Sequence, residues 1–123
     1  LESWGSGHDR GQEAYDRGFD LFEQERWSEA AEEFAKVNEG VRGSLWMSAR
    51  LLCGTSLVRA GRPAEAIDPL QEGLRLDPEW PDGHRVLAFV LGRVERFDEA
   101  NIHIAQAARL GHPQAVATMK ELG

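Results

Sequence analysis

The chain has 123 residues, 41% of them hydrophobic and 28% charged, which is enough for one continuous core and too apolar for a disordered composition. It holds no apolar run of eighteen residues, which excludes a membrane-spanning helix, and its single cysteine excludes an internal disulfide. The net charge of −7 sits at the front: residues 1–40 carry eleven acidic and four basic side chains, residues 41–123 ten of each, a balance that argues against a nucleic-acid partner. Two readings of that acidity stand side by side, a solvated helix face and a field that steers cationic partners.

Residues 1–8, Leu-Glu-Ser-Trp-Gly-Ser-Gly-His, read as a flexible tail before a folded domain at 9–123. The chain opens on Leu1, so a fragment or processed form is expected. No basic segment precedes an apolar run, so a cytoplasmic location is expected, or a periplasmic one if a leader has been removed. Ala14, Phe19, Leu21 and Phe22 predict a first helix at about 9–25. Trp27, Ala30, Ala31, Phe34 and Val37 form the stripe of a second, with Gly40 and Gly43 as its stop. Leu45, Trp46, Ala49, Leu52, Cys53 and Leu57 face inward on a third helix at about 44–60, where Cys53 reads as a small core residue. Gly61-Arg62-Pro63 ends it and opens a fourth at about 63–76, in which Pro69 predicts a kink or a loosened turn. A fifth helix at about 81–94 buries Val86, Leu87 and Leu91, and a sixth at about 97–110 buries Ala100, Ile104 and Ala107. Pro113 opens a short seventh, to about Leu122, that closes the end of the stack.

One pattern recurs in register: Trp27-Ser28-Glu29-Ala30 with Phe34, Pro63-Ala64-Glu65-Ala66 with Leu70, and Phe97-Asp98-Glu99-Ala100 with Ile104. The alanines lie 36 and 34 residues apart, the step of a two-helix solenoid unit. Small residues on the first helix of each pair, Gly18, Gly54 and Ala88, complete it. The set resembles the tetratricopeptide repeat (TPR) family, with repeats at about 11–44, 47–80 and 81–114 and a capping helix at about 113–122. Three departures stand out: Pro63 replaces the turn aromatic, Val37 is large for its position, and the repeat-closing proline is absent after repeat one and shifted at Pro113. The resemblance implies an all-α, right-handed α-solenoid whose first helices line a concave groove.

On that implication the groove would be lined by Tyr15, Phe19 and Phe22 in repeat one, Leu51, Thr55, Val58 and Arg59 in repeat two, and Arg85, Phe89 and Arg93 in repeat three. Tyr15 and Phe19 stand where some family members carry a Lys and an Asn that grip a C-terminal carboxylate, so that mode is not expected. The expected partner is a protein or peptide segment with apolar anchors and an acidic group for the arginines. No phosphate loop, nucleophile elbow or zinc motif occurs, and His8, His84, His103 and His112 read as surface or loop residues. No enzymatic activity, cofactor or metal is expected. A self-assembling scaffold, joined through its repeat ends as a homo-oligomer, and an arm of a larger bacterial complex are the alternative functions. Arginine outnumbers lysine twelve to two, as in GC-rich bacteria.

Overall fold

A computed structural model describes residues 2–37 and 44–122, with side chains from residue 11 onward. Seven α-helices follow one another: α1 (Glu2–Glu23), α2 (Trp27–Ala35), α3 (Ser44–Arg59), α4 (Ile67–Leu76), α5 (Pro81–Arg93), α6 (Phe97–Arg109) and α7 (Pro113–Leu122). No strand occurs among the described residues. Each helix packs on the next, and α1, α3 and α5 also touch in series. That is the contact order of a helical solenoid, since each pair buries its apolar stripe only by stacking.

The turns repeat one device. The N–H of Arg26 donates to the Leu21 carbonyl (2.9 Å) and that of Glu25 to Phe22 (3.0 Å), closing α1 with a Schellman cap. The same pair of bonds follows α3 at Gly61/Arg62, α5 at Glu95/Arg96 and α6 at Gly111/His112. The cap needs a left-handed residue, which is Gly61 (φ 79°) and Gly111 (φ 86°) but Glu25 (φ 60°) and Glu95 (φ 62°) elsewhere. After each of the first three caps an arginine pairs with the glutamate three residues on: Arg26 with Glu29, Arg62 with Glu65 and Arg96 with Glu99. These glutamates sit in the first turn of the second helix, where the helix dipole also favours them.

The small positions on α1 and α3 are small for a measurable reason. A Cβ on Gly18 would come within 2.9 Å of the Phe34 ring, and one on Gly54 within 3.0 Å of Leu70. Phe34 and Leu70 are fully buried. Arg50 adds a polar tie between repeats. It is buried, and its Nη2 donates to the carbonyls of Phe34 (3.0 Å) and Val37 (3.2 Å) at the end of α2, the first of which also accepts from the Val37 N–H. Its Nη1 lies 3.9 Å from Glu72 on α4.

Several expectations are corrected. α1 begins at Glu2, so residues 2–8 are helical backbone and not a tail. Extending an established helix costs far less than starting one, which carries α1 back through Gly7 and Gly5 despite their low propensity. The fourth helix divides. Pro63–Ala66 is a 3-10 turn, and the α-helix starts only at Ile67. Pro69 thereby falls in the first α-turn, where no helical partner is needed for its missing N–H. The stop expected at Gly40 and Gly43 lies outside the described residues.

Candidate functional site

α3 and α5, the first helices of repeats two and three, leave a cavity of about 500 Å³ between them. Thr55, Val58 and Arg59 bound it on α3, with Gly61 at the turn, and Arg85, Val86, Phe89 and Arg93 on α5. Their spacing is that of one helix face, which is how a 3.6-residue period delivers them to one hollow. Six of the ten groove residues expected from sequence therefore meet here: Thr55, Val58, Arg59, Arg85, Phe89 and Arg93. Phe89 is 53% exposed, although it is a large apolar side chain. Val58 is buried in the wall.

The other four take different places. Tyr15, Phe19 and Phe22 form a row on α1, with successive ring centroids 6.4 Å apart. Phe19 is 41% exposed. Tyr15 turns its ring edge toward the buried Phe34, at 5.7 Å. Phe22 packs edge-on against Trp27 at 4.9 Å, and Arg59 lies over both rings, 5.8 Å from Phe22 and 5.0 Å from Trp27. Arg59 thus links the aromatic row to the α3–α5 cavity. Leu51 is half-buried against the core and lines neither feature.

The electrostatics of the cavity set it apart from the rest of the molecule. Arg17, Arg26, Arg50, Arg62 and Arg96 each pair with a glutamate. Arg59, Arg85 and Arg93 form no ion pair among the described residues, and all three converge on this hollow. Arg93 instead lies 5.8 Å from the Phe89 ring centroid, and Arg85 Nε is buried without a hydrogen-bond partner. Guanidinium groups gathered without carboxylates over a greasy wall can bind an anionic group in bidentate fashion, with the aromatic supplying apolar contact.

Burial overturns the surface reading of His84. Its Nε2–H donates to the Pro78 carbonyl (2.7 Å), which leaves its Nδ1 bare to accept from His103 Nδ1–H at 2.9 Å. Burial, with His84 beside it, pushes His103 below the usual histidine range, and Glu99 opposes this. His112 sits at the start of α7, where its Nδ1 accepts from the Gln114 N–H and its Nε2–H donates to Asp82 on α5 (2.9 Å). The described residues hold no group of three or more His, Cys, Asp or Glu that could bind a metal ion. Cys53 is buried, its thiol donates to the Ala31 carbonyl at 3.5 Å, and burial pushes its pKa up, away from the reactive thiolate. No helix among the described residues is long and apolar enough to cross a membrane.

A second hollow, of about 480 Å³, adjoins the first and shares Arg85 and Phe89 with it. It lies between α5, α6 and α7. Periodicity puts Arg85, Phe89 and Gly92 on the groove side of α5 but does not show that α6 and α7 close a hollow over them; Gly92, four residues after Ala88 in the register of Phe22 after Gly18, marks the place where a filling side chain is absent.

No family model matches the sequence, and no curated protein does. Solved structures are similar to it. PcrH in complex with the chaperone binding region of PopB superposes with a TM-score of 0.78 at 18% identity, over 94% of this chain and 95% of that one. The first TPR of Spaghetti (RPAP3), bound to HSP90 peptide SRMEEVD, gives a TM-score of 0.76 at 12% identity, over 93% and 90%. MamA (AMB-1) gives 0.71 at 28% identity, over 88% of this chain and 62% of that one. The MamA (RS-1) double mutant is covered over 57% of its length, so this chain spans less than two thirds of either of these two MamA chains.

Proposed function

We propose that the chain, which has the fold of the tetratricopeptide-repeat solenoids, is a protein-interaction module that holds a peptide segment against α3 and α5. The segment presents a large apolar side chain to Phe89 and Val58 and a carboxylate to Arg59, Arg85 and Arg93. One observation carries this reading: the described arginines without ion pairs at one exposed phenyl ring are these three. Arg26, Arg62 and Arg96 each pair with the glutamate three residues on, whereas the guanidiniums here have no carboxylate among the described residues and are left for a partner. Two solved structures of this fold hold peptide segments, from PopB and HSP90, which supports the class of ligand. An affinity in the micromolar range, about −8 kcal/mol, fits one apolar anchor and one or two charge-assisted pairs.

Selection of a phage-displayed dodecapeptide library on the immobilised chain tests this. Selected peptides combine an acidic residue with a large apolar one, and the double variant Arg85→Ala/Arg93→Ala weakens them by about ten- to a hundredfold. Phe19→Ala with Phe89→Ala tests the apolar side, the first residue lying on the α1 row and the second in the cavity. Binding unchanged in both double variants, with helical circular dichroism intact, rejects the reading. Self-assembly is a second reading, favoured by the exposed Phe97 and Ile102 on α6 and Met119 on α7. Under it, light scattering reports a mass that rises with concentration.

A further inference from the structure

The three repeats can be overlaid on their small residues, Gly18, Gly54 and Ala88. Four residues later stand Phe22, Val58 and Gly92, and at the turn Trp27, Pro63 and Phe97. In repeat one the Phe22 ring fills the space between the helices. It packs at 4.9 Å on Trp27 and 6.5 Å from Phe34, under the Arg59 guanidinium. In repeat two Val58 is buried in the same register. In repeat three nothing takes this place. A Cβ built on Gly92 meets no atom within 4 Å. Phe97, the counterpart of the half-buried Trp27, is 58% exposed.

The result is the hollow of about 480 Å³, walled by Ala88 and Phe89 of α5, Phe97, Ala100 and Ile104 of α6, and Thr118 of α7. Its lining is apolar where a ring would sit. The chain's own first repeat shows which kind of side chain such a space accepts, an aromatic one wedged against the turn residue. Arg85 and Phe89 border both hollows, so a chain crossing the Phe89 ring passes from one to the other. The buried and unbonded Arg85 Nε lies at that crossing.

We propose that the hollow beside Gly92 is a second anchor site, which takes an aromatic side chain of an acidic peptide, and that the absent side chain at Gly92 sets its size selectivity. This inference rests on the peptide-binding reading above. The occupant is an acidic partner peptide and not a second copy, by charge complementarity: Arg85 borders the hollow and Arg93 lies against its Phe89 wall, both without an ion pair among the described residues. The ligand then has two large apolar residues on either side of a Glu or Asp, with the residue toward α7 aromatic.

The test pairs substitutions on both sides of the contact. Dodecapeptides selected on the unaltered chain are measured by fluorescence polarisation against it, against Gly92→Leu, which fills the hollow, and against Phe97→Ala, which removes its outer wall. Gly92→Leu adds its side chain into open space, and circular dichroism checks that the helices remain. The expected result is a more than tenfold loss with Gly92→Leu and a smaller loss with Phe97→Ala. Replacing the peptide's aromatic residue by alanine weakens binding to the unaltered chain but not to Gly92→Leu, because the two changes remove the same contact. If Gly92→Leu and Phe97→Ala bind as the unaltered chain does while Arg85→Ala/Arg93→Ala loses binding, the second anchor is wrong and the groove reading stands. If neither set matters, or no peptide is selected, both fall. A change of association state on Gly92→Leu, read by light scattering, assigns the hollow to a second copy and overturns the proposal.

Discussion

Two glycines on α5 should respond in opposite directions to the same substitution. A Cβ at Gly83 would lie 2.2 Å from Cε3 of Trp80, and 2.6 and 2.7 Å from two further ring atoms. A Cβ at Gly73 on α4 would come within 2.4 Å of the same ring, so the indole is held between two backbones and has no free direction in which to yield. Overpacking of this kind costs about 1–3 kcal/mol. Gly83→Ala recovers little of that, since it sits in the first turn of α5. Gly92→Ala meets no atom and removes the conformational cost of glycine in a helix, a gain of about 0.5–1 kcal/mol. The two variants should differ by about 1.5–4 kcal/mol, or roughly 6–16 °C in Tm for a chain of this size. Thermal unfolding followed by circular dichroism at the helix band reads both directly. Equal Tm values, or a rise for Gly83→Ala, would refute the packing argument.

Other consequences follow from the same geometry. Arg50→Ala removes the side-chain donor to the Val37 carbonyl and one of the two donors to Phe34, and urea unfolding should show a loss of about 1–3 kcal/mol, where a loss under about half a kcal/mol would count against the tie. Glu95→Gly relieves a left-handed residue and should stabilise by up to about 1 kcal/mol, whereas Gly61→Ala imposes one and should cost about 1 kcal/mol. Burial depresses His103 in the folded state, so between that lowered value and the usual 6.5 or so the unfolded chain binds more protons. Stability therefore rises with pH across that window and is lost as pH falls through it. The urea midpoint should drop between pH 7.5 and 5.5, and His103→Gln should flatten the drop; identical slopes would contradict it.

The fold was legible because its signals are local and repeated. Ala30, Ala66 and Ala100 mark the second helices, and Gly61, Pro63, Gly111 and Pro113 punctuate the turns, so α3, α5, α6 and α7 fall within about a residue of their expected ends. Gly18 and Gly54 could be assigned as close-packing positions because Phe34 and Leu70 recur sixteen residues later. Pairings across the stack were not legible. Nothing local to Arg50 says that the carbonyls at the end of α2 lie opposite it. His84 and His103 meet across a hairpin, nineteen residues apart. The Arg-x-x-Glu step at 26/29, 62/65 and 96/99 lies open in the sequence, but only the caps show that each arginine turns back onto its glutamate. Six expected groove residues meet in one cavity because they share a face of α3 or α5. Leu51 and Phe22 do not join them, because periodicity gives a face but not what the next helix lays over it.

The central claim is that the unpaired guanidiniums and the Phe89 ring between α3 and α5 receive an acidic, apolar peptide. Titration of a selected dodecapeptide into 15N-labelled chain, followed by amide chemical shifts, tests it most directly. The account predicts the largest shifts at Thr55, Arg59, Arg85, Phe89 and Arg93, with α2 and α4 nearly silent. Shifts centred on α2 and α4, or spread over the acidic first repeat with none at Phe89, would contradict it.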